Sequence, residues 1–252
     1  MEPESAQNFF RWAEIEEDGN IELNCVGNTV GNYTIHTDIP EEILAHISEY
    51  EPEQALWCVG ANPRPNGLTK SAKDSDIQVW KNLYLDIEPI HSARTNVSEE
   101  DKERASDLVY LLCRIFNEHG LDLPIIADSG NGFHLWQAIP SLPAQEIAPY
   151  MKAFHYWLQH QTRDIRAELD VRIDFTLSPS RQVKLYGTRK PIEGSRIATF
   201  PRVERRESTA FVDFIRTLRP QTSTNQHVES SLRCDASLAE IEEKYRLRNG
   251  NL

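Results

Sequence analysis

Apolar and polar residues alternate through Leu83-Tyr84-Leu85-Asp86-Ile87-Glu88 until Pro89 breaks the pattern. A period of two predicts a strand, with Leu83, Leu85 and Ile87 on one face and Asp86 and Glu88 together on the other. Further along, Ala105, Leu108, Val109, Leu112, Ile115 and Phe116 recur at helical spacing. They predict an amphipathic helix, started by the capping box Ser98-Glu99-Glu100-Asp101 and ended by Gly120. Helical spacing returns from about Ala144 to His160, where Ile147, Tyr150, Met151, Phe154 and Trp157 share a face, and again from Thr209 to Leu218. Near the N-terminus, Asp38-Ile39-Pro40-Glu41-Glu42 followed by Ile43, Leu44 and Ile47 reads as a helix start, with Pro in the first turn and acids at the positive end of the dipole.

Shorter apolar runs predict strands at Ala55–Val59, Pro124–Ala127, Phe133–Ile139, Val171–Leu177 and Gln182–Tyr186. Asn62-Pro63-Arg64-Pro65-Asn66-Gly67 forces a loop, which the polar residues Lys70 to Asp76 continue. From Arg219 to Ser231 the chain is rich in Pro, Gln, Thr, Ser and Asn and reads as a linker or loosely held tail. Strands and helices mix without strict βαβ alternation, so the expected fold class is α+β, around a mixed or antiparallel sheet flanked by helices.

The 252 residues suffice for one large domain or two small ones. No run approaches the roughly 18 apolar residues of a membrane helix, and Met1-Glu2-Pro3-Glu4 is not the start of a signal peptide. A cytoplasmic protein without membrane contact is expected. Cys25, Cys58, Cys113 and Cys234 are scattered with no CxxC pair, which reads as apolar thiols rather than a zinc or disulfide framework. The net charge of -12 is unevenly distributed. Residues 1–60 carry 13 acids and one base, whereas residues 170–206 carry 4 acids and 9 bases. A basic segment in an acidic chain is either a solvated Arg-rich surface or a place for anions.

The paired acids of the alternating strand repel one another and raise each other's pKa unless a cation neutralises them. Hard oxygen ligands of this kind suit Mg²⁺ or Mn²⁺, although an exposed acidic strand face would give the same triplet. Val171-Arg172-Ile173-Asp174-Phe175-Thr176-Leu177 offers a third acid, Asp174, on the polar side of another apolar strand. Asp164 and Asp170 compete for that role but belong to a polar connection. Arg181, Lys184, Arg189 and Lys190 follow, as guanidinium forks and point charges suited to phosphate or as a basic surface loop. Between the two acidic strands lies Asp128-Ser129-Gly130-Asn131-Gly132-Phe133-His134. Asn131-Gly132 between apolar runs is a hairpin signal. Gly130 and Gly132 would also let backbone N–H groups approach an anion, to which Ser129 and His134 can donate, while the missing GK[ST] excludes a P-loop.

The ordered set "YLDIE", "DSGNGFHLW", "RIDFT" and "RQVKLYGTRK" resembles the archaeo-eukaryotic primase superfamily, in particular the primase-polymerases of plasmids, phages and mobile elements. The resemblance spans residues 55–206, and "NPRP" and "KLYGT" are similar to bacterial mobile-element members. It implies a primase-polymerase (RRM-like) catalytic core over residues 55–218, a tail at 219–252, and an acidic N-terminal part, 1–54, that belongs to the same domain or faces a partner. Carried over residue by residue, it implies Asp86, Glu88 and Asp174 as catalytic metal ligands for two Mg²⁺ or Mn²⁺ ions. Ser129, Gly130, Asn131, Gly132, His134, Arg181 and Lys184 would surround the nucleotide's phosphates. Where many members have DxD, this chain has DxE, which supplies the same paired carboxylates; no zinc module is implied.

The activity implied is template-directed nucleotidyl transfer, synthesising or extending primers on single-stranded DNA from nucleoside triphosphates. No helicase domain follows, which leaves a helicase or other replication or defence protein as a partner. "LDIE" also resembles the first motif of DEDD-type 3′-to-5′ exonucleases, for which His160 and Asp164 would be an approximate late motif. A third reading is a non-catalytic primase-like module that binds nucleotide or nucleic acid for a partner.

Overall fold

Every strand pairing among the described residues is antiparallel, and the strands form two sheets of four. The computed structural model describes residues 2–27, 31–50, 55–90, 96–174, 177–192 and 194–218. The linker and tail expected at 219–252 lie outside them.

The first sheet runs β2-β1-β3-β8, from β1 (Ile21–Gly27), β2 (Gly31–Thr37), β3 (Ala55–Gly60) and β8 (Gln182–Lys184). The second runs β5-β6-β4-β7, from β4 (Val79–Pro89), β5 (Ile125–Asp128), β6 (Phe133–Pro143) and β7 (Val171–Asp174). Six helices accompany them among the described residues: α1 (Pro3–Ala13), α2 (Pro40–Ser48), α3 (Glu99–Glu118), α4 (Ala144–Gln161), α5 (Arg163–Leu169) and α6 (Thr209–Thr217). The class is α+β, with two antiparallel sheets.

The alternation in β4 decides how the layers stack. Leu83, Leu85 and Ile87 enter a core formed with α3, α4, α5 and α6, through Leu108, Leu112, Phe116, Met151, Phe154, Leu169 and Phe211. Burying side chains of that size contributes about 1.5–3 kcal/mol each. The opposite face of the same sheet gives Tyr84, Trp136 and Ala138 to a second core, shared with Phe9, Phe10 and Trp12 of α1, Leu23 and Cys25 of β1, Trp57 and Val59 of β3, and Val183 and Tyr186. The segment 3–48 is therefore joined to the rest by pairing of β1 with β3 and by burial of α1.

Several local signals act as the sequence suggests. Ser98 accepts the Asp101 backbone N–H at the start of α3, and the Leu121 N–H closes its end on the Phe116 carbonyl, with Gly120 at φ 68°. Other boundaries move. β6 continues to Pro143, past the expected Ile139, because β4 begins at Val79 and supplies partners for the extra residues. The strand expected over Val171–Leu177 is β7, ending at Asp174; Phe175 and Thr176 lie outside the described residues. Of the thiols, Cys25 and Cys113 are buried, Cys58 is half-buried, and all three are free.

Candidate functional site

Strand register sets His134 of β6, Asp86 of β4 and Asp174 of β7 side by side across the second sheet. In-register residues share a face, so all three project from the side that also carries Tyr84 and Trp136. Along that face the sheet is apolar where the first sheet covers it. It turns acidic two residues further, at Asp86, and two beyond that Glu88 stands opposite Arg172. Carboxylates directly opposite one another are destabilising. The Asp86 carboxyl is accordingly pushed up to about 7, first by burial and then by the charges of Glu88 and Asp174, against the pull of Arg181 and a hydrogen bond from Tyr84.

Two arginines offset the neighbouring acids. Arg181 is ion-paired with Asp174, and Arg172 donates from Nη2 and Nε to Glu88 Oε1 at 2.5 and 3.0 Å. Arg181, read from the sequence as a phosphate ligand, thus rests on an acid of the row. Asp86, Glu88 and Asp174 share a face, yet among the described residues no three His, Cys, Asp or Glu side chains gather around one point as an ion would require. Their chemistry fits a hard divalent cation, since three carboxylate groups offer only oxygen and the crowding at Asp86 is relieved by positive charge. Asp164 and Asp170 are exposed, Asp164 in the first turn of α5 and Asp170 between α5 and β7, outside the in-register row.

The hairpin between β5 and β6 forms where Asn131-Gly132 suggested, but by different turn chemistry. A two-residue Asn-Gly turn would need positive φ at Asn131 and Gly132. Instead Gly130 has φ 90°, and the loop spans four residues, with Ser129 N–H donating to the Gly132 carbonyl at 3.1 Å. Gly132 is required by space, because a Cβ there would collide with the Ile87 carbonyl oxygen of β4. The loop's amides are largely taken by its own side chains: Gly130 N–H donates to Asp128 Oδ1 (2.6 Å), and Gly132 N–H to Ser129 Oγ (2.9 Å). Ser129 and the amides at 130 and 132 therefore build the turn, while the Ser129 hydroxyl, an acceptor in that bond, keeps a proton to donate. Asn131 is the exception: it is buried, and its Nδ2 has no acceptor among the described residues. A buried donor without a partner is what an incoming anionic oxygen would satisfy.

Cations reach the row from the first sheet. Lys184 of β8 spans the gap and donates from Nζ to the Ser129 carbonyl at 2.9 Å. Burial, followed by the nearby charge of Lys190, lowers its pKa to about 8. His134 is buried, and its pKa falls to about 3, first through burial and then through Lys184, Arg181 and Lys190. Its imidazole is neutral at physiological pH, and the 3.7 Å approach of Nε2 to Asp86 Oδ1 is a contact between a neutral ring and an acid.

The chain is similar in fold to two solved structures, one of a primase-polymerase and one of a primase. One is the AEP domain of the cyanophage S-2L primase-polymerase, at 10% identity and TM-score 0.48, covering 86% of this chain and 97% of that one. The other is the catalytic domain of primase Repb′ in complex with initiator DNA, at 10% identity and TM-score 0.48, covering 85% of this chain and 93% of that one. No family model matches the chain. No curated protein matches it either.

Several contributors escaped the sequence reading. Asp128 opens the hairpin, holds the Gly130 amide and pairs with Lys102 of α3 at 2.5 Å. Arg196 donates to the Val97 and Gly130 carbonyls, at 3.0 and 3.5 Å, steadying the loop from behind. Arg64 of the "NPRP" loop is fully buried; it donates to Glu22 Oε2 (3.1 Å), the Asn62 carbonyl (2.9 Å) and the Ser180 carbonyl (2.8 Å), and so fixes the segment that carries Arg181. Only the pattern "KLYGT" hinted at Tyr186. A groove of about 560 Å³ is lined by Asp74, Trp80 of β4, Lys152 and His155 of α4, and Leu177 and Ser178 after β7.

Proposed function

We propose that this chain is a primase-polymerase, transferring a nucleotide from a nucleoside triphosphate to a 3′-hydroxyl aligned on single-stranded DNA. The observation that carries the reading is the row His134–Asp86–Asp174, with Glu88 beside it and Lys184 above it. Acids on one sheet near a cation from the other suit a reaction in which a hydroxyl attacks a phosphate, the acids being able to hold a divalent ion and the cation to take up phosphate charge.

Asp86, Glu88 and Asp174 would hold Mg²⁺ or Mn²⁺, which when bound supplies the positive charge that acidifies the 3′-hydroxyl and screens the triphosphate. Arg181 and Arg172 occupy two of those acids and would be released toward phosphate as the ion enters. The hydroxyl oxygen bonds to the α-phosphorus and gives its proton to solvent, the bond to the bridging oxygen of the β-phosphate breaks, and pyrophosphate leaves with the electron pair. Lys184, Lys190 and the unpartnered Asn131 amide would take up charge on the leaving phosphates. The neutral His134 ring acts as a hydrogen-bond donor rather than a cation.

The DEDD-type exonuclease reading loses support. His160 lies in the last turn of α4 and Asp164 in the first turn of α5, helices that cover the Leu83–Ile87 face of the sheet, whereas Asp86 and Glu88 project from the other face.

A primer-synthesis and extension assay on single-stranded DNA tests the proposal, comparing ribonucleotides with deoxyribonucleotides under Mg²⁺ and under Mn²⁺. Incorporation by the natural chain, and none by D86A/E88A, is expected. Equal incorporation by the double variant overturns the site; loss of a labelled 3′ end without added nucleotides points to the exonuclease instead.

A further inference from the structure

Trp136 and His134 lie two residues apart on one face of β6, and Tyr186 meets both. The Tyr186 hydroxyl oxygen is 2.6 Å from Trp136 Nε1 and 2.6 Å from His134 Nδ1. Tyr186 and Trp136 are fully buried and His134 is 2% exposed. An indole N–H can only donate, so Trp136 donates to the tyrosine oxygen. The hydroxyl then has one proton of its own to place, and among the described residues the group in reach that can accept it is His134 Nδ1. If Nδ1 carried a proton, two donors would converge on one oxygen and the hydroxyl proton would be buried without an acceptor, at a cost of about 1–3 kcal/mol. That holds for the other neutral tautomer and for the doubly protonated ring alike.

We infer that the Trp136–Tyr186 pair fixes His134 as the tautomer bearing its proton on Nε2, so that a hydrogen-bond donor is aimed at the carboxylate row. Ring packing holds this orientation: Tyr84 and Tyr186 both meet the imidazole edge-on, at 4.9 and 5.5 Å between centroids. The nearby Asp86 Oδ1 is 3.7 Å from Nε2, beyond hydrogen-bond length, so the donor remains available to an oxygen that enters the site. The identity of that oxygen as a substrate phosphate rests on the function proposed above; the tautomer does not. Tyr186 is a positioning residue, acting on substrate through His134. Trp136, usually counted as core, sets the direction of the whole chain of donors.

Nitrogen-15 NMR of the nucleotide-free full chain with labelled histidine tests this, with His134 assigned by loss of its signals in H134Q. Nδ1 should be unprotonated and Nε2 protonated at neutral pH. A protonated Nδ1, alone or together with Nε2, overturns the inference. In folded Y186F both neutral tautomers should appear, and retention of the single Nε2–H form there overturns the relay. Should Y186F not fold, the spectrum of the natural chain still decides. Because no nucleotide is present, the result stands or falls separately from polymerase activity.

Discussion

Asp86 faces Asp174 in register across β4 and β7, two carboxylates on one face of an antiparallel pair, with Arg181 drawn onto the second. Opposed like charges mark a place where the fold gives up stability for chemistry. D86N keeps the shape and removes one charge. In metal-free buffer it should raise the midpoint of thermal unfolding, by a stabilisation on the order of 1 kcal/mol, while abolishing nucleotide incorporation. A fluorescence melt of both proteins checks it, and a lowered midpoint would contradict the crowding.

The same residue sets a pH dependence. Its pKa of about 7 in the folded chain stands above the ordinary 3.8, so the folded state keeps a proton that the unfolded state has lost. The Asp86 contribution to stability is therefore greatest below about pH 4 and declines as pH rises toward about 7. D86N should flatten that decline. Ion binding runs the other way, since the proton must leave first: Mn²⁺ affinity should rise with pH up to about 7 and level off above it. Calorimetry in buffers of different ionisation heat would record the released proton, and an affinity independent of pH across this window would sink the assignment of Asp86 as a ligand.

Gly132 leaves no room for a side chain against the Ile87 carbonyl. G132A should destabilise the chain by about 2 kcal/mol or more and weaken triphosphate binding, because the hairpin must move off β4. G130A should also destabilise, through its φ of 90° and the Arg196 carbonyl 2.7 Å from the new methyl group. Urea unfolding measures both, and a G132A protein as stable as the natural one would show that the loop can rise without cost.

Arg64 joins β1, its own loop and the segment before β8 through a buried fork. R64A takes the guanidinium from buried Glu22, which keeps its hydrogen bonds from Asn24 and the Ala72 N–H, and should cost about 3 kcal/mol. R64K should recover little of that loss, because an ammonium cannot reach the three acceptors in their separate directions. Recovery to within about 1 kcal/mol of the natural chain would reduce Arg64 to a simple counter-charge.

Much of the second sheet was legible because its signals are local. The period of two in β4 and the heptad-like spacing of α3 each report their own burial, and Pro, Ser and Gly mark the ends. The same reading gave no elements before Asp38. There the informative contacts are distant: Phe9 packs on Trp136 and Tyr186, and Glu22 finds Arg64 and Gln182. In the site, alternation set Asp86 and Glu88 on one face of their strand and Asp174 on the polar side of its own; that the three share a face of one sheet comes from the pairing of β4 with β7. Which cation serves which acid did not follow from alternation either. Arg181 was legible as a positive charge near phosphate chemistry, but its pairing with Asp174 depends on how the chain turns after β7. Tyr186 meets His134 across 52 positions, and no pattern near either announces the contact.

Lys184 is rooted in one sheet, and its ammonium is tied to a carbonyl in the hairpin of the other. That bond is one tie among several between the two layers, beside the core they share. A phosphate that captured the ammonium would break this tie as it bound, so at this one residue holding an anion and holding the hairpin compete.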